Sequence, residues 1–534
     1  MSAARFVVLA TDKVSVSGLA PLTDDERFEV LRIDDSGSAD FLDALARADG
    51  LVVRSATEVR GELLARAPRL RVVGRAGVGV DNIDLTACTA RGIAVCNAPA
   101  GNTVSAAELT LALMLAMVRR VPAADASVRS GAWARSKYQG VELRGRTLGL
   151  IGCGRIGGEV ARRARAFGMR VVASDPYLTD ERAEELRVER AELADVVAGA
   201  DVLSLHVPLT DDTRGMIGAD ALARMKPGAF VVNVARGGVV DEPALAAALA
   251  SGHLGGAALD VFEAEPLPDA SPLRSAPNLV LTPHLGASTS EAQELVATEI
   301  AEAVRAALAD GDLSRALNAP SISGGVLRAY EPLFDLGRRL GRMACALAPG
   351  GVEGLEVRYA GSSEEVLRPL SAFVKVGLLE NVLGKDQVNF VSAGYLAEQR
   401  GIEVARTLLG RQRDYPEYVE LVVRAEGGTL TLAGALLGDR HPRVVRIEDY
   451  HVDVVPEGSL IVLRNADVPG VIGRVGTLLG SHGINIAGYH QARREKGGEA
   501  LAAISVDGEV PADVREALLA LEEVSAAALV RLER

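Results

Sequence analysis

The chain has 534 residues, a formal net charge of -13 and a hydrophobic fraction of 48%. This length exceeds what a single hydrophobic core supports, so we expect several domains, and the composition excludes a disordered chain. The acidic balance disfavours nucleic acids and anionic membranes as partners, because both carry negative charge.

The four cysteines show no metal-ligand spacing with each other or with the histidines, which are seven in number. We therefore expect reduced thiols, no metal and a cytoplasmic location. The most apolar stretch, TVSAAELTLALMLAMVRR (103–120), contains Glu108 and is too short to span a bilayer, so it predicts a buried helix.

Residues 5–98 alternate short apolar segments with helical patterns. This rhythm predicts a parallel sheet with helices on both faces. The predicted strands are FVVLAT, FEVLRI, GLVVRS, LRVVGRAG and GIAVCNA. The segment that follows, AAELTLALMLAMVRRVPAADASVRSGAW (106–133), predicts a long helical connection.

A second strand and helix series begins at Thr147 and predicts a doubly wound nucleotide-binding unit. Its strands are TLGLIGC, RVVASD, DVLSLHVP, AFVVNVA, GAALDV and LVLTPH. We expect the helix over 288–311 to pack back on the first sheet. Residues 99–285 would then be inserted into a discontinuous unit made of 1–98 and 286–317.

A glycine fingerprint, GCGRIG, follows the first strand of that series and opens a helix. Gly152 permits a tight turn, Gly154 lets the backbone approach a pyrophosphate, and Gly157 lets the helix pack closely. Asp175, at the end of RVVASD, is expected to accept hydrogen bonds from the adenosine ribose and to disfavour a 2′-phosphate, which predicts NAD. Arg155 has two open interpretations, a pyrophosphate contact or a solvated surface arginine.

Three separated residues predict the chemistry. Arg236 follows the strand AFVVNVA, and its planar guanidinium matches a carboxylate through paired hydrogen bonds. His284, in LVLTPHLGAST, is the candidate general acid–base, and Glu265 can fix its tautomer through the other ring nitrogen. Asp260 has two open interpretations, support of the nicotinamide or a structural cap. Together these residues predict hydride transfer to or from a hydroxy acid.

Several further polar residues follow strands of the first unit or begin the connecting helix. Arg54-Ser55, Arg75 and Asn102 lie beside glycine or serine turns, and Arg135 lies in an irregular stretch after the helix. Each arginine alone is compatible with a surface charge. Their convergence predicts a substrate with more than one anionic group.

The segments GRAGVGVDNID, NTVSAAE, GCGRIGGEV, NVARGGVVDE, ALDVFEAEP and PHLGAST resemble the D-isomer-specific 2-hydroxyacid dehydrogenase family. The resemblance implies that Arg236, Glu265 and His284 are catalytic. It implies that the substrate is faced by Arg54, Ser55, Arg75 and Asn102, with Arg135 approaching from a neighbouring subunit. The implied NAD contacts are Arg155, Ile156, Asp175, Val207, Ala235, Asp260, His284 and Gly286.

After a linker, LSRALNAPSISGG, the chain resembles the longer members of this family. Residues 318–455 resemble their intervening regulatory domain, and 456–534 resemble an ACT domain, a small-molecule sensor. The resemblance implies that L-serine is the effector, that Asn465, Asp467 and Asn485 bind it, and that the enzyme is a homotetramer. Asn465 stands where some relatives have an aromatic residue or histidine.

The expected fold class is α/β, with a doubly wound Rossmann NAD domain (99–285) inserted in a flavodoxin-like substrate domain, then an α+β intervening domain and a ferredoxin-like ACT domain. The implied reaction is oxidation of 3-phospho-D-glycerate to 3-phosphooxypyruvate, the first step of L-serine synthesis, with reduction of 2-oxoglutarate as a side activity. Two alternatives stay open, a glyoxylate or hydroxypyruvate reductase and an NAD-sensing regulatory protein.

Overall fold

A computed structural model describes residues 5–410, 414–438 and 440–532 of the chain. The outermost residues of the predicted first and last domains, 1–4 and 533–534, lie outside the described ranges. Four sheets follow one another along the chain, with five, seven, six and four strands. We refer to them with their helices as units one to four.

Unit one contains a wholly parallel sheet with the order β2-β1-β3-β4-β5. This is the flavodoxin-like order, as expected. Its strands are β1 (Phe6–Ala10), β2 (Phe28–Arg32), β3 (Gly50–Val53), β4 (Val72–Arg75) and β5 (Ala94–Asn97). Its helices are α1 (Ala20–Thr23), α2 (Ala39–Arg47), α3 (Gly61–Ala65) and α4 (Leu85–Ala90).

The predicted helical connection to unit two consists of two helices, α5 (Thr103–Val118) and α6 (Val121–Arg129). The break has a local cause. Arg120 adopts a left-handed conformation, with φ at 53°, and Pro122 cannot donate a hydrogen bond to the preceding turn. Residues in α5 that face the second sheet are buried, which confirms the prediction of a buried helix there.

Unit two contains a parallel sheet with the order β12-β11-β10-β9-β6-β7-β8. The order reverses between β6 and β9, and ligands bind at such a switch point, outside the carboxyl ends of the strands. The strands are β6 (Thr147–Ile151), β7 (Arg170–Ser174), β8 (Glu189–Arg190), β9 (Val202–Leu205), β10 (Phe230–Asn233), β11 (Gly256–Leu259) and β12 (Leu279–Leu281). The helices are α7 (Arg155–Ala166), α8 (Asp180–Leu186), α9 (Leu193–Gly199), α10 (Ala219–Arg224) and α11 (Glu242–Ala250).

The helix α12 (Ser290–Asp310) returns to unit one, as predicted. Thr289 caps its first turn by accepting a hydrogen bond from the Ala292 amide. Its apolar face, including Ile300 and Val304, is buried in the same hydrophobic core as Val8 and Val72. The chain therefore enters unit two and comes back to complete the first core.

Unit three has a mixed sheet, β14-β13-β15-β16-β17-β18, in which only β13 and β14 pair in parallel among the described strands. Its strands are β13 (Val352–Ala360), β14 (Glu403–Leu408), β15 (Glu417–Ala425), β16 (Gly428–Leu437), β17 (His441–Ile447) and β18 (Tyr450–Val454). Its helices are α13 (Gly324–Ala329), α14 (Glu331–Leu347), α15 (Leu367–Leu383) and α16 (Ala393–Glu398).

Unit four has an antiparallel sheet with the order β20-β21-β19-β22 and a strand–helix–strand–strand–helix–strand succession. This is the ferredoxin-like arrangement. The elements are β19 (Ser459–Ala466), α17 (Val471–Ser481), β20 (Ile486–Arg493), β21 (Glu499–Val506), α18 (Ala512–Leu519) and β22 (Val524–Arg531). With the other three units, it confirms the expected fold class.

Candidate active site

The glycine fingerprint forms the turn between β6 and α7, at the switch point of the second sheet. Gly152 has φ at 87°, and a Cβ atom there would lie 2.6 Å from the His206 carbonyl oxygen, so a larger residue is excluded. A Cβ atom on Gly154 would meet only open space. The backbone at Gly154 is thus accessible to a ligand, and no side chain caps α7. This cradle fits a dinucleotide pyrophosphate.

Asp175 follows β7 and closes the same turn. One carboxylate oxygen accepts a hydrogen bond from the Cys153 amide at 2.7 Å, and the other accepts one from the Tyr177 amide at 2.8 Å. Each carboxylate oxygen has a second lone pair, so the side chain can still accept a ribose hydroxyl. Arg155 is exposed, whereas Ile156 and Val207 are partly buried beside the turn.

His284 and Glu265 are hydrogen-bonded, with 2.7 Å between His284 Nδ1 and Glu265 Oε2. The Phe262 amide donates to the other Glu265 oxygen at 3.0 Å. Burial acts to raise the pKa of Glu265, but these two hydrogen bonds and the charges of His284 and Arg236 outweigh it and lower the pKa. Glu265 is therefore a carboxylate that orients the ring, and His284 Nε2 is left for another partner.

Asp260, at the end of β11, fixes the loop that carries His284. Its side chain is fully buried and accepts hydrogen bonds from the Leu285 and Gly286 amides and from the Thr282 hydroxyl. Burial raises the pKa of Asp260. The contacts favour the structural interpretation of this residue over a direct contact with the nicotinamide.

Arg236 lies in the loop after β10, where Asn233 shapes the turn. The Asn233 side chain donates to the Arg236 carbonyl oxygen at 2.8 Å and accepts from the Ala235 amide at 3.0 Å. A Cβ atom at Gly237 would lie 1.8 Å from the Phe262 carbonyl oxygen. This glycine therefore allows the Arg236 loop to lie against the loop that carries Glu265.

The substrate side of the site comes from unit one. Asp12 accepts hydrogen bonds from the Arg54 and Thr57 amides, which fixes the loop after β3. Arg75 ends β4, and burial together with the charge of Arg236 lowers its pKa to about 10. The charge of Arg54 also lowers the pKa of Arg75. The charges of Arg236 and Arg54 thus both act on Arg75, as in a site for an anion.

Two residues predicted to face the substrate each have a buried polar atom without a partner. The Arg75 Nε atom and the Asn102 Oδ1 atom are buried and have no hydrogen-bond partner among the described residues. Buried polar groups usually have one, so the Arg75 donor is suited to an anionic group of a ligand and the Asn102 acceptor to a hydroxyl group. Ser55, which follows Arg54 in the chain, is exposed.

Arg135 is not joined to these residues. It begins a short exposed 3-10 helix over 135–138, and among the described residues no hydrogen bond or ion pair links it to the other predicted substrate-binding side chains. Its predicted role from a neighbouring subunit stays a prediction.

The predicted effector residues in unit four have partners within the chain. Asp467 forms an ion pair with Arg493 at 3.0 Å, and the Asn485 side chain donates to Asp507 at 2.6 Å. Asn465 is buried in β19, where its amide nitrogen donates to the Ala466 carbonyl oxygen. No ligand contact is defined by these bonds, and effector binding stays a prediction.

Several residues that shape the site were not singled out from the sequence. Glu242 accepts a hydrogen bond from the Glu263 amide at 2.6 Å and so supports the Glu265 loop. Its pKa is raised by burial and by the neighbouring glutamates. Asp12 and Asn233 form hydrogen bonds with backbone groups of the site loops, and Asp81 forms an ion pair with Arg236. Glu242 stands in the motif GGVVDE, but an acid at the start of a helix is ordinarily a solvated residue. Its support of the loop was therefore not predicted.

Within the described ranges, no group of three or more His, Cys, Asp or Glu side chains could hold a metal ion. Nor do those ranges contain a helix with the length and hydropathy needed to cross a membrane.

Comparison with known proteins follows the same division. Residues 111–286 match the model for the D-isomer specific 2-hydroxyacid dehydrogenase NAD binding domain, 329–448 the D-3-phosphoglycerate dehydrogenase intervening domain, and 459–523 the ACT domain. D-3-phosphoglycerate dehydrogenase of Mycobacterium bovis is 44% identical, over 96% of this chain and 97% of that protein. The Bacillus subtilis protein of that name is 38% identical, over 99% and 100%.

Among solved structures, D-lactate dehydrogenase from Aquifex aeolicus, complexed with NAD and lactic acid, superposes with a TM-score of 0.52. It is 32% identical and covers 59% of this chain and 100% of its own.

Proposed function

The chain belongs to the D-3-phosphoglycerate dehydrogenases, and on that premise we propose that it oxidises 3-phospho-D-glycerate to 3-phosphooxypyruvate with NAD. The observation that carries the proposal is the 2.7 Å pair of His284 and Glu265 beside the Arg236 loop. This pair supplies a proton acceptor at the carboxyl ends of the strands that form the nucleotide site.

Each chain residue has a distinct task in this proposal. His284 Nε2 accepts the hydroxyl proton of the substrate, while Glu265 holds the ring through Nδ1. The Arg236 guanidinium binds the substrate carboxylate and draws electron density toward it. Arg54 and Arg75, with Ser55 and Asn102, bind the remaining anionic and hydroxyl groups. When bound, NAD accepts the hydride that leaves the substrate carbon.

The residues proposed to hold NAD lie at the β6–α7 turn and in the loops that follow β7, β9, β10, β11 and β12. Gly152, Gly154 and Gly157 admit the pyrophosphate, and Asp175 binds the ribose, which favours NAD over NADP. The remaining proposed contacts are Arg155, Ile156, Val207, Ala235 and Gly286, whereas Asp260 acts indirectly by accepting a hydrogen bond from the Gly286 amide.

The larger organisation belongs to the same proposal. The matched ranges support a NAD domain at 99–285 within a substrate domain of 1–98 and 286–317, an intervening domain at 318–455 and an ACT domain at 456–534. We infer that the ACT domain binds L-serine through Asn465, Asp467 and Asn485. A homotetramer would bring Arg135 to a neighbouring active site.

Kinetics of two variants test the catalytic assignment. His284→Ala should lower kcat by about a hundredfold or more, because the proton acceptor is lost. Arg236→Ala should lower kcat and raise KM together, since the carboxylate contact acts in both the ground state and the transition state. NADH formation is followed by absorbance.

The matched controls are His253→Gln and Arg224→Ala, which change the same residue types elsewhere in unit two and should leave turnover near that of the unaltered enzyme. Unchanged turnover in both His284→Ala and Arg236→Ala would remove the basis of the assignment.

A further inference from the structure

An ion pair joins unit one to unit two at the candidate site. Asp81 lies in the connection after β4, and Arg236 lies in the loop after β10. The Asp81 Oδ2 atom is 3.2 Å from Arg236 Nε. On its other side, Arg236 Nη1 donates a hydrogen bond to the Ala235 carbonyl oxygen at 2.6 Å. The guanidinium is therefore held by groups from both units.

The backbone beneath the guanidinium is specialised for this contact. A Cβ atom on Gly79 would lie 1.9 Å from Arg236 Nη2 and 2.6 Å from the Asp81 carboxylate. Any larger residue at position 79 would displace the arginine. The Arg236 side chain thus lies directly on the connection that carries Asp81.

The position of Asp81 is fixed through its neighbour Asn82. The Asn82 side-chain amide donates to the Arg54 carbonyl oxygen at 2.8 Å and to the Thr57 carbonyl oxygen at 2.7 Å. The Val59 amide donates to the Asn82 carbonyl oxygen. The loops that carry Arg54 and Asp81 therefore form one bonded piece.

Asp81 places a negative charge that acts on both Arg75 and Arg236. Burial, then the charge of Arg236, lowers the pKa of Arg75, while the charge of Asp81 acts in the opposite direction. Neighbouring guanidinium groups repel each other, and a nearby carboxylate offsets that repulsion. The Asp81 side chain is 67% exposed and that of Arg236 is 25% exposed, so an entering anion can reach the pair.

We propose that Asp81 is a positioning residue for Arg236. It aligns the Arg236 guanidinium against unit one, and it competes with the substrate carboxylate for that guanidinium. The proposal rests on the proposed function of Arg236. Removal of the Asp81 charge should have two opposite effects. Turnover should fall because the guanidinium is less well oriented, whereas free anions should bind more tightly because their competitor is gone. Substitution of a residue that only supported folding would not change turnover and anion affinity in opposite directions.

The experiment compares Asp81→Asn and Asp81→Glu in the full-length protein. Asp81→Asn should lower kcat about tenfold without raising KM for 3-phospho-D-glycerate. Sulfate, a simple oxyanion, should bind Asp81→Asn several-fold more tightly in calorimetry. Asp81→Glu keeps the charge and should recover a large part of kcat. Glu58→Gln removes one charge from an exposed pair with Arg60 in the same unit and should behave like the unaltered protein.

Unchanged kcat and unchanged sulfate affinity in Asp81→Asn would overturn the proposal. So would a loss of activity that merely follows the loss of folded protein and is not recovered in Asp81→Glu. Sulfate binding needs no turnover, so it decides the role of Asp81 even if 3-phospho-D-glycerate proves not to be a substrate. In that arm, the tighter sulfate binding should disappear in the Asp81→Asn, Arg236→Ala double variant.

Discussion

At the residue scale, His206 shows how burial sets the charge of the nucleotide site. It follows β9 beside Gly152, and its Nε2 atom is 2.9 Å from the Ser204 hydroxyl oxygen. Burial lowers the pKa of His206 to about 4. The ring is therefore neutral at ordinary pH and adds no positive charge beside a pyrophosphate. The N-terminus of α7 remains to attract the phosphates.

This shift predicts a pH dependence of folding stability. Because the folded-state pKa lies below the ordinary value of 6.5, the unfolded chain binds more protons as the pH falls. Stability is thus fully present above pH 6.5 and is lost toward pH 4. His206→Gln should remove about 1 kcal/mol of the stability loss between pH 7 and 5.

Urea unfolding at the two pH values measures this difference, with His253→Gln as the matched histidine control. If His206→Gln and the unaltered protein lost equal stability between pH 7 and 5, burial of a neutral His206 would be disproved.

The residues of the candidate site differ in how visible they are in the sequence. Arg236, Glu265 and His284 stand in short segments at strand ends, so their meeting follows from parallel topology. Asp81 and Arg236 are far apart in the chain, and nothing local marks their ion pair. Partners of this kind depend on how two units pack, which a single sequence does not encode in a motif.

At the element scale, unit three is organised by two helices that touch through glycine. A Cβ atom on Gly377 of α15 would lie 1.8 Å from the Arg338 carbonyl oxygen of α14. One on Gly341 of α14 would lie 2.1 Å from the Val374 carbonyl oxygen. Arg338 pairs across the same contact with Glu380, whose side chain is fully buried. The helices therefore pack backbone to backbone.

Gly377→Ala should consequently destabilise unit three, by about 3 kcal/mol or more, since the clash involves backbone that cannot move aside. Thermal unfolding measures the change. Gly199→Ala is the control, because a Cβ atom at the end of α9 meets nothing within 4 Å, and its effect should stay within about 1 kcal/mol. A Gly377→Ala protein as stable as the control would contradict the close helix contact.

Helices and strands were predictable where the hydrophobic period and the length of a segment were clear. The buried strands of units one and two are short apolar runs, and each of those predicted was found. The two-residue strand β8 was missed because its residues, Glu189 and Arg190, are exposed and charged. The helical connection was predicted without its break because its composition is uniform, and Pro122 at the start of α6 helps to set where that break lies.

At the scale of the whole molecule, units three and four are bonded to units one and two. The Asn389 side chain of unit three donates to the Gly92 carbonyl oxygen of unit one at 2.8 Å. Val391 is buried in the core of unit one. At the other end of unit three, Arg339 donates to the Pro456 carbonyl oxygen, in the segment that leads to unit four. A physical link thus runs from unit four to the sheet that carries Arg75.

These contacts between units could not be predicted, although the order of the units could. Each unit has its own strand and helix rhythm, and that rhythm identifies the sheet. The docking of Asn389 on Gly92 joins residues in different units through a single hydrogen bond. Such contacts follow from the shapes of folded surfaces, and periodicity carries no information about them.

The most direct measurement is NADH formation from 3-phospho-D-glycerate and NAD by the full-length protein, with and without L-serine. The predicted result is turnover with NAD that exceeds turnover with NADP, and serine that lowers it. Turnover that ignores serine would contradict the effector assignment and leave the catalytic one intact. No turnover, with NADH-dependent reduction of glyoxylate or hydroxypyruvate instead, would contradict the proposed function.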